Sequence, residues 1–403
     1  MGIRKDESAE PRTGTGLYAH VVGWGMAVPD IVITNQDLEA IVETNDEWIR
    51  TRTGIRERRI AGERESTSSL GLKAARRALE VANMLPTDID LIIVATSTPE
   101  NVFPSAACLI QNGLGATRAG AFDLSAACSG FVYGVEMASQ AIRSGSIRAA
   151  VVIGAETMTR ILNWQDRGTC ILFGDGAGAI VLRASEAEGG VLSAVLRSDG
   201  SGGDLLGLPA VGSIDLLNSD YVNDEHTLNK MHMNGGEVFK FATRVITESI
   251  HQALEKANLS IEDLSLIVPH QANMRIIQAA ARALKIAPEM FMSNLERYGN
   301  TSAASIPIAL CEAVQEGRIK PDDNIAFVGF GGGLTWAAMI LRWGDPRPVD
   351  RRSEALINQG RREFSYFLVR IRASLRRFSR RISKLFGRSN RIQRLRDKAD
   401  RLD

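Results

Sequence analysis

Four short segments hold the side chains with which this sequence could do chemistry. The first is AFDLSAACSGFVYG, residues 121–134, with Cys128 at its turning point. Residues 121–124 read as a short buried strand. Phe131, Val135, Ala138 and Ile142 recur at helical spacing, so the small residues 125–130 make the join. A cysteine at such a join faces unpaired backbone N–H groups and the positive end of the helix dipole, which favours thiolate over thiol by roughly 0.3–2 kcal/mol. A thiolate is the nucleophile that thioester chemistry needs, although a cysteine among Ala and Ser also fits a small buried hydrophobe. The second segment, PHQAN, puts His270 at the end of a buried strand, where α/β proteins place working residues. A satisfied structural histidine is the other reading. The third, YGNTSAAS, is a turn running into a helix of small residues, and its Asn300 could offer an amide N–H to a substrate oxygen or cap the helix. The fourth, GFGGGLT at 329–335, lets backbone approach a ligand closely, as an oxyanion hole or a phosphate cradle. No Lys-Ser/Thr follows these glycines, and no GxGxxG fingerprint with a later acidic partner occurs. Nucleotide hydrolysis and hydride transfer therefore lack their residues.

The elements that must position these segments alternate along the chain. Short apolar runs at 19–23, 91–95, 121–124, 150–154 and 179–182 are separated by helical stretches such as 67–82 and 131–144, a βαβ pattern. Residues 78–94 align without gaps on 253–269, shifted by 175 positions, and GDGAG with AIVLR183 is echoed by GGG with AMILR342. Two matches in the same order indicate duplication, with halves near 17–190 and 191–344. In a duplicated α/β protein the strand ends of both halves can build one site, Cys128 coming from the first and its partners from the second. The 403 residues suffice for such a unit. The four cysteines (Cys108, Cys128, Cys170, Cys311) form no CxxC pair and suggest neither a disulfide framework nor structural zinc. The polar start has no signal-peptide pattern and no run reaches membrane-span length, so a cytoplasmic location is expected.

Taken together, AACSGF, DRGT with FGDGAGA, PHQAN, GNTSAAS and GFGGGLTW, in this order and at these separations, resemble the β-ketoacyl-acyl-carrier-protein synthase III family, and WIRTRTGIR at 48–56 matches it too. The resemblance covers about residues 17–344. It implies a thiolase-like five-layer αβαβα fold built from two duplicated halves, and an acyltransferase that condenses a short acyl-CoA with malonyl-acyl-carrier-protein to start fatty acid synthesis. By the same resemblance Cys128 is the acyl-accepting nucleophile, His270 and Asn300 hold the thioester oxygen during decarboxylation, and the N–H groups of Cys128 and Gly332 form the oxyanion hole. Departure of CO2 leaves the carbanion, so no base is needed at carbon. Trp48, Arg52, Arg167 and Asn273 are the implied CoA contacts. Gln271, Ala272, Asn273, Met274 and Arg275 are the implied carrier-protein docking segment, with Arg282 one helical face further on. Phe103 is the implied lining of the acyl pocket across a homodimer interface. No metal, no redox cofactor and no nucleic acid partner is implied. Asn300, where thiolases carry a second Cys and elongating synthases a second His, fits the initiating type. A synthase loading a secondary-metabolite starter would use the same three residues; a non-catalytic scaffold or a Cys/His/Asn hydrolase would leave part of this set unexplained.

The sequence after Trp343 departs from the family pattern. Of 48 Lys and Arg and 47 Asp and Glu, 18 and 7 fall in residues 345–403, which leaves an acidic body of 30 and 40 under a basic tail. Residues 1–16 are expected to be a disordered lead-in and 345–349 a linker. Phe364, Leu368, Ile371, Leu375, Phe378, Ile382 and Leu385 then recur at alternating spacings of four and three among Arg and Lys, which predicts a basic amphipathic C-terminal helix of about six turns, interrupted at 387–390. Three uses compete for 362–386: an anionic inner membrane surface, a coiled coil, or packing on the acidic body or recruiting an acidic carrier protein.

Overall fold

The structure, a computed structural model, describes residues 15–209, 229–344 and 352–387. The expected lead-in (but for 15 and 16), the linker at 345–349 and the chain beyond Gly387 lie outside the described residues. The first half runs β1 (Tyr18–Ala27), β2 (Ile31–Thr34), α1 (Asn35–Glu39), α2 (Asp46–Thr53), β3 (Glu57–Ile60), α3 (Thr67–Ala82), β4 (Leu91–Ala95), α4 (Ala106–Leu114), β5 (Gly120–Leu124), α5 (Gly130–Arg143), β6 (Ala149–Thr157), α6 (Arg167–Cys170) and β7 (Asp175–Ser185). The second runs β8 (Gly190–Ser198), β9 (Leu206–Gly207), β10 (His232–Met233), α7 (Gly235–Ala257), β11 (Leu264–Pro269), α8 (Met274–Leu284), α9 (Leu295–Tyr298), α10 (Ser305–Gln315), β12 (Asn324–Gly331) and β13 (Thr335–Arg342), and α11 (Arg352–Gly387) follows.

The two main sheets repeat one pattern. The first has the order β1-β7-β6-β4-β5 and the second β11-β12-β13-β8. In both, an antiparallel trio (β1-β7-β6; β8-β13-β12) continues into parallel strands (β6-β4-β5; β12-β11). Helices α5 and α10 lie between the sheets, α3 and α4 cover the outer face of the first, and α7 and α8 that of the second. The result is five layers. Strands such as β6 and the inner part of β7 are buried on both faces, which is why most of their length reads as a continuous apolar run rather than as alternation.

The repeat read from sequence reappears in detail. α3 ends on Asn83 and α7 on Asn258, each in the left-handed region, with φ of 50° and 53°. Each is followed by a tight turn in which an Asp carboxylate accepts a backbone N–H, Asp88 from Leu85 and Asp263 from Ser260. The same shift of 175 positions carries Ala127 onto Ser302. Both have positive φ (45° and 49°), and both stand in the single 3-10 turn that leads into a central helix, α5 or α10. β5 differs from expectation: it is the edge strand of its sheet, and Phe122 is 43% exposed.

Candidate active site

A cavity of about 1020 Å³ opens between the two halves at the strand ends, and Cys128, His270 and Asn300 all line it. Each is placed by a different join. Cys128 stands in the turn Ala127–Ser129 between β5 and α5. Its turn is pinned to the end of the second sheet: Ser129 Oγ donates to Ala126 O (2.8 Å), and Thr335 Oγ1 donates to the same carbonyl (3.0 Å). Strand β12 passes so close that a Cβ on Gly331 would lie 2.7 Å from the Cys128 nitrogen, and one on Gly329 3.0 Å from Ser129 Cα. The glycines at 329 and 331 are therefore required by contact with the nucleophile turn. Gly332 lines the cavity beside them.

His270 follows β11, and its backbone N–H donates to Val328 O across to β12 (2.8 Å). Its Nδ1 is hydrogen-bonded to Ser305 Oγ at 2.7 Å, while the same Oγ accepts the Gln271 N–H at 3.3 Å. With Ser305 donating, Nε2 carries the ring proton. Burial lowers the imidazole to about 3, so the ring is neutral at physiological pH. Phe330 packs edge-on against it, with ring centroids 5.1 Å apart. Asn300 is held from behind in the same manner: its Oδ1 accepts from Ser302 N–H (2.8 Å), which leaves Nδ2 as the side chain's donor. Its backbone is clamped by Leu172 O and Gly174 N–H, and that segment is in turn held by the buried Arg58 through Ile171 O.

The expectation that the helix end lowers the Cys128 pKa does not hold for the free enzyme. Burial pushes the thiol up to about 12, the Ser302 hydroxyl 3.4 Å away works against this, and the Glu156 carboxylate adds to it. At 7% exposure the loss of water is the largest cause of the shift. Glu156 is a member of the site region that sequence reasoning missed. It is fully buried, bonded to Thr98 Oγ1 (2.6 Å), Ser97 N–H and Thr96 Oγ1, and raised to about 7 by burial. Ser302 and Ser305, which orient Asn300 and His270, were missed too. Their only signal was the run of small residues after Asn300.

Around the mouth, Trp48 on α2 is flanked by two guanidinium groups, Arg52 at 4.5 Å and Arg167 at 4.7 Å from its ring centroid. Arg167 also donates to Glu43 O (3.0 Å). Asn45 caps α2 through the Trp48 N–H, and α2 packs on Met274 of α8 so tightly that Gly54 could carry no side chain. Asn273 caps α8 by accepting the Arg275 N–H (2.9 Å), and Ala272, Asn273 and Arg275 line the cavity. Ala272 and Met274 are half-buried, and Arg275 and Arg282 are exposed. Gln271 is a correction to the expected docking segment. It is 1% exposed, its Nε2 donates to Pro269 O and Met292 O, and its Oε1 accepts from Asn294 N–H, so it is an internal clamp. Phe103 is 85% exposed and is not among the residues lining its own chain's cavity.

Comparison with known proteins fits this geometry. Residues 122–200 match the model described as 3-Oxoacyl-[acyl-carrier-protein (ACP)] synthase III, and 254–343 match its C-terminal model. The β-ketoacyl-[acyl-carrier-protein] synthase III of Symbiobacterium thermophilum is 54% identical over 324 residues, 80% of this chain and 98% of that protein. The chain belongs to this family. The same enzyme of Roseiflexus sp. (strain RS-1) is 52% identical over 326 residues, 81% of this chain and 98% of its own length. The crystal structure of 3-oxoacyl-[acyl-carrier-protein] synthase III from Aquifex aeolicus VF5 superposes with a TM-score of 0.75 at 47% identity, covering 81% of this chain and all of that one. The protein is thus an acyl-transferring condensing enzyme of the initiating type in fatty acid synthesis, with the thiolase fold. About four-fifths of the chain accounts for nearly the whole length of these relatives, and the family match ends at residue 343, before α11.

Proposed function

We propose that this cavity condenses a short acyl-CoA with malonyl-acyl-carrier-protein to give 3-oxoacyl-acyl-carrier-protein, CoA and CO2, in ping-pong order. Cys128 Sγ attacks the acyl-CoA carbonyl, the thiol proton leaves with the CoA sulfur, and an acyl-Cys128 thioester remains. The N–H groups of Cys128 and Gly332 hold the oxyanion between these events, each worth on the order of 2.7–4 kcal/mol. The malonyl group then loses CO2. The electron pair left behind is delocalised onto the thioester oxygen, held by His270 Nε2–H and Asn300 Nδ2–H. The enolate carbon attacks acyl-Cys128, and the cysteine sulfur leaves and regains a proton.

The observation that carries this reading is the way two donors are presented. His270 and Asn300 line the cavity of Cys128, and each is tied by a serine through the atom opposite its donor, Nδ1 to Ser305 and Oδ1 to Ser302 N–H. A neutral imidazole suits a donor role that ends with no net proton taken from carbon. The Trp48 ring between Arg52 and Arg167 supports CoA at the mouth, its base taking the place of one guanidinium against the indole. Exposed Arg275 and Arg282 suit an acidic carrier protein. The homodimer belongs to the same reading. Exposed Val102, Phe103 and Leu109 lie around edge strand β5 with Phe122, and burying this edge against a second copy would direct Phe103 to the partner's cavity. So does a peripheral position at a membrane, supported by α11.

The test is a two-stage assay with acetyl-CoA and malonyl-acyl-carrier-protein. His270→Ala and Asn300→Ala should still take up the acyl group and fail to release CO2 from malonyl-carrier-protein. Loss of acyl uptake with decarboxylation intact would reverse the assignment.

A further inference from the structure

Helix α11 has two opposite faces, and among the described residues only one is packed on the body. On one side Asn358 donates to Asn83 O (3.2 Å), Arg362 is 5% exposed and donates to Asn83 Oδ1 and Met84 O (both 3.4 Å), and Val369 packs on Gly115. Tyr366, 4% exposed, lies under the Arg76 guanidinium at 4.3 Å. This is a seat at the carbonyl end of α3, where cations are favoured. The other side carries Leu356, Ile357, Phe364, Phe367, Ile371, Leu375, Phe378 and Ile382, from 39% to 71% exposed. At about 100° per residue these eight stand within about 60° of the direction diametrically opposite Arg362. The apolar stripe therefore points straight away from the body. Residues 364–387 hold seven Arg and Lys and no Asp or Glu. Arg370 and Arg372 are exposed and flank the stripe, about 100° to either side of it.

We infer that α11 lies flat on an anionic lipid surface, held between the bilayer and the enzyme body, with the stripe sunk among acyl chains and the flanking arginines at the headgroups. This extends the peripheral position proposed above and is independent of the chemistry at Cys128. A second copy of the helix is the poorer occupant. The 3–4 spacing would allow a coiled coil, but Glu363 is the one acid beside the stripe and from Phe364 onward the flanking charges are arginine alone, so two copies would set mostly like charges together. The span from Leu356 to Ile382, about 39 Å at 1.5 Å per residue, is long for a groove on a small acidic protein and unrestricted on a membrane. Among the described residues no helix is long and apolar enough to cross one.

The experiment is co-sedimentation of the full chain with vesicles of phosphatidylcholine alone or mixed with phosphatidylglycerol. Wild type should pellet with the anionic vesicles. Leu375→Asp with Phe378→Asp should lower the bound fraction at least about tenfold, and Arg370→Gln with Arg372→Gln, or high salt, severalfold. Both variants should condense acetyl-CoA at the wild-type rate in solution. Wild type left in the supernatant, or the double Asp variant pelleting like wild type, would overturn the inference. So would self-association that the Asp variant abolishes, which would assign the stripe to a second copy, or tighter stripe-dependent binding to acidic carrier protein than to vesicles. Membrane binding by a protein that accepts no acyl group would leave this inference standing and remove the proposed chemistry.

Discussion

The cavity and the outer face of α11 both show apolar side chains to water, and they are built in opposite ways. In the cavity wall the polar atoms that matter are tied down: Asn300 by Ser302, His270 by Ser305, the Cys128 turn by Ser129 and Thr335. They come from both halves of a duplicated fold and are fixed by tertiary contact. On α11 the exposed face comes from one continuous helix and is set by helical period, while Tyr366 and Arg362 hold the opposite side. Chemistry needs donors at set positions in a place with little water. Surface binding needs only a stripe and a charge.

Changes in the cavity should therefore act on the reaction and leave the helix untouched, and the reverse. The largest effect expected is for Cys128→Ala, a fall in turnover on the order of 10⁴-fold or more, checked with acetyl-CoA and malonyl-carrier-protein at saturating levels. His270→Ala and Asn300→Ala each remove one donor to the enolate oxygen and should cost about 10²–10³-fold in the decarboxylation step, read as CO2 release. Trp48→Ala should come next, raising KM for acyl-CoA about tenfold with kcat little changed, because it touches the nucleotide end and not the reacting carbonyl. In the other region Tyr366→Ala should loosen α11, seen as faster hydrogen exchange over 358–369, while turnover and the melting of the body stay at wild-type values.

The smallest effect concerns pH. Glu156 ionises near 4.5 in an unfolded chain and near 7 when folded, so the folded state binds more protons between these values and loses stability as pH rises through them. His270 acts in the other sense: lowered from 6.5 to about 3, it costs stability as pH falls below 6.5. Glu156→Gln should remove the first component alone. Its melting temperature relative to wild type should rise by a few degrees between pH 5 and pH 8, on the order expected for a buried carboxylate released from ionising. A difference that is flat over this range would contradict the assignment.

What could be read from sequence, and what could not, follows the same division. The turn holding Cys128, the strand before His270 and the 175-residue repeat were legible because they rest on local period and residue size. The repeat even reaches Ala127 and Ser302, whose shared backbone form no composition rule would have picked out. The raised pKa of Cys128 was not legible. A helix end can be seen in a sequence, whereas the burial that raises the thiol depends on β12 closing over the turn. Gln271 was misread for the same reason, since two of its three internal side-chain hydrogen bonds join segments some twenty residues apart. Glu156 lies in a strand of wholly buried residues and shows in sequence only as one acid in an apolar run. The amphipathic helix was visible from period alone, but its seat on α3 and its start at Arg352 were not.

The central claim is that Cys128 carries the acyl group between two substrates. The most direct test is the mass of the intact protein after mixing with acetyl-CoA and with longer or branched acyl-CoAs, beside Cys128→Ala. One added acyl mass is expected on wild type and none on the variant, and the added mass should disappear when malonyl-carrier-protein is supplied. An adduct that persists in Cys128→Ala, or no adduct with any acyl-CoA, would contradict that claim.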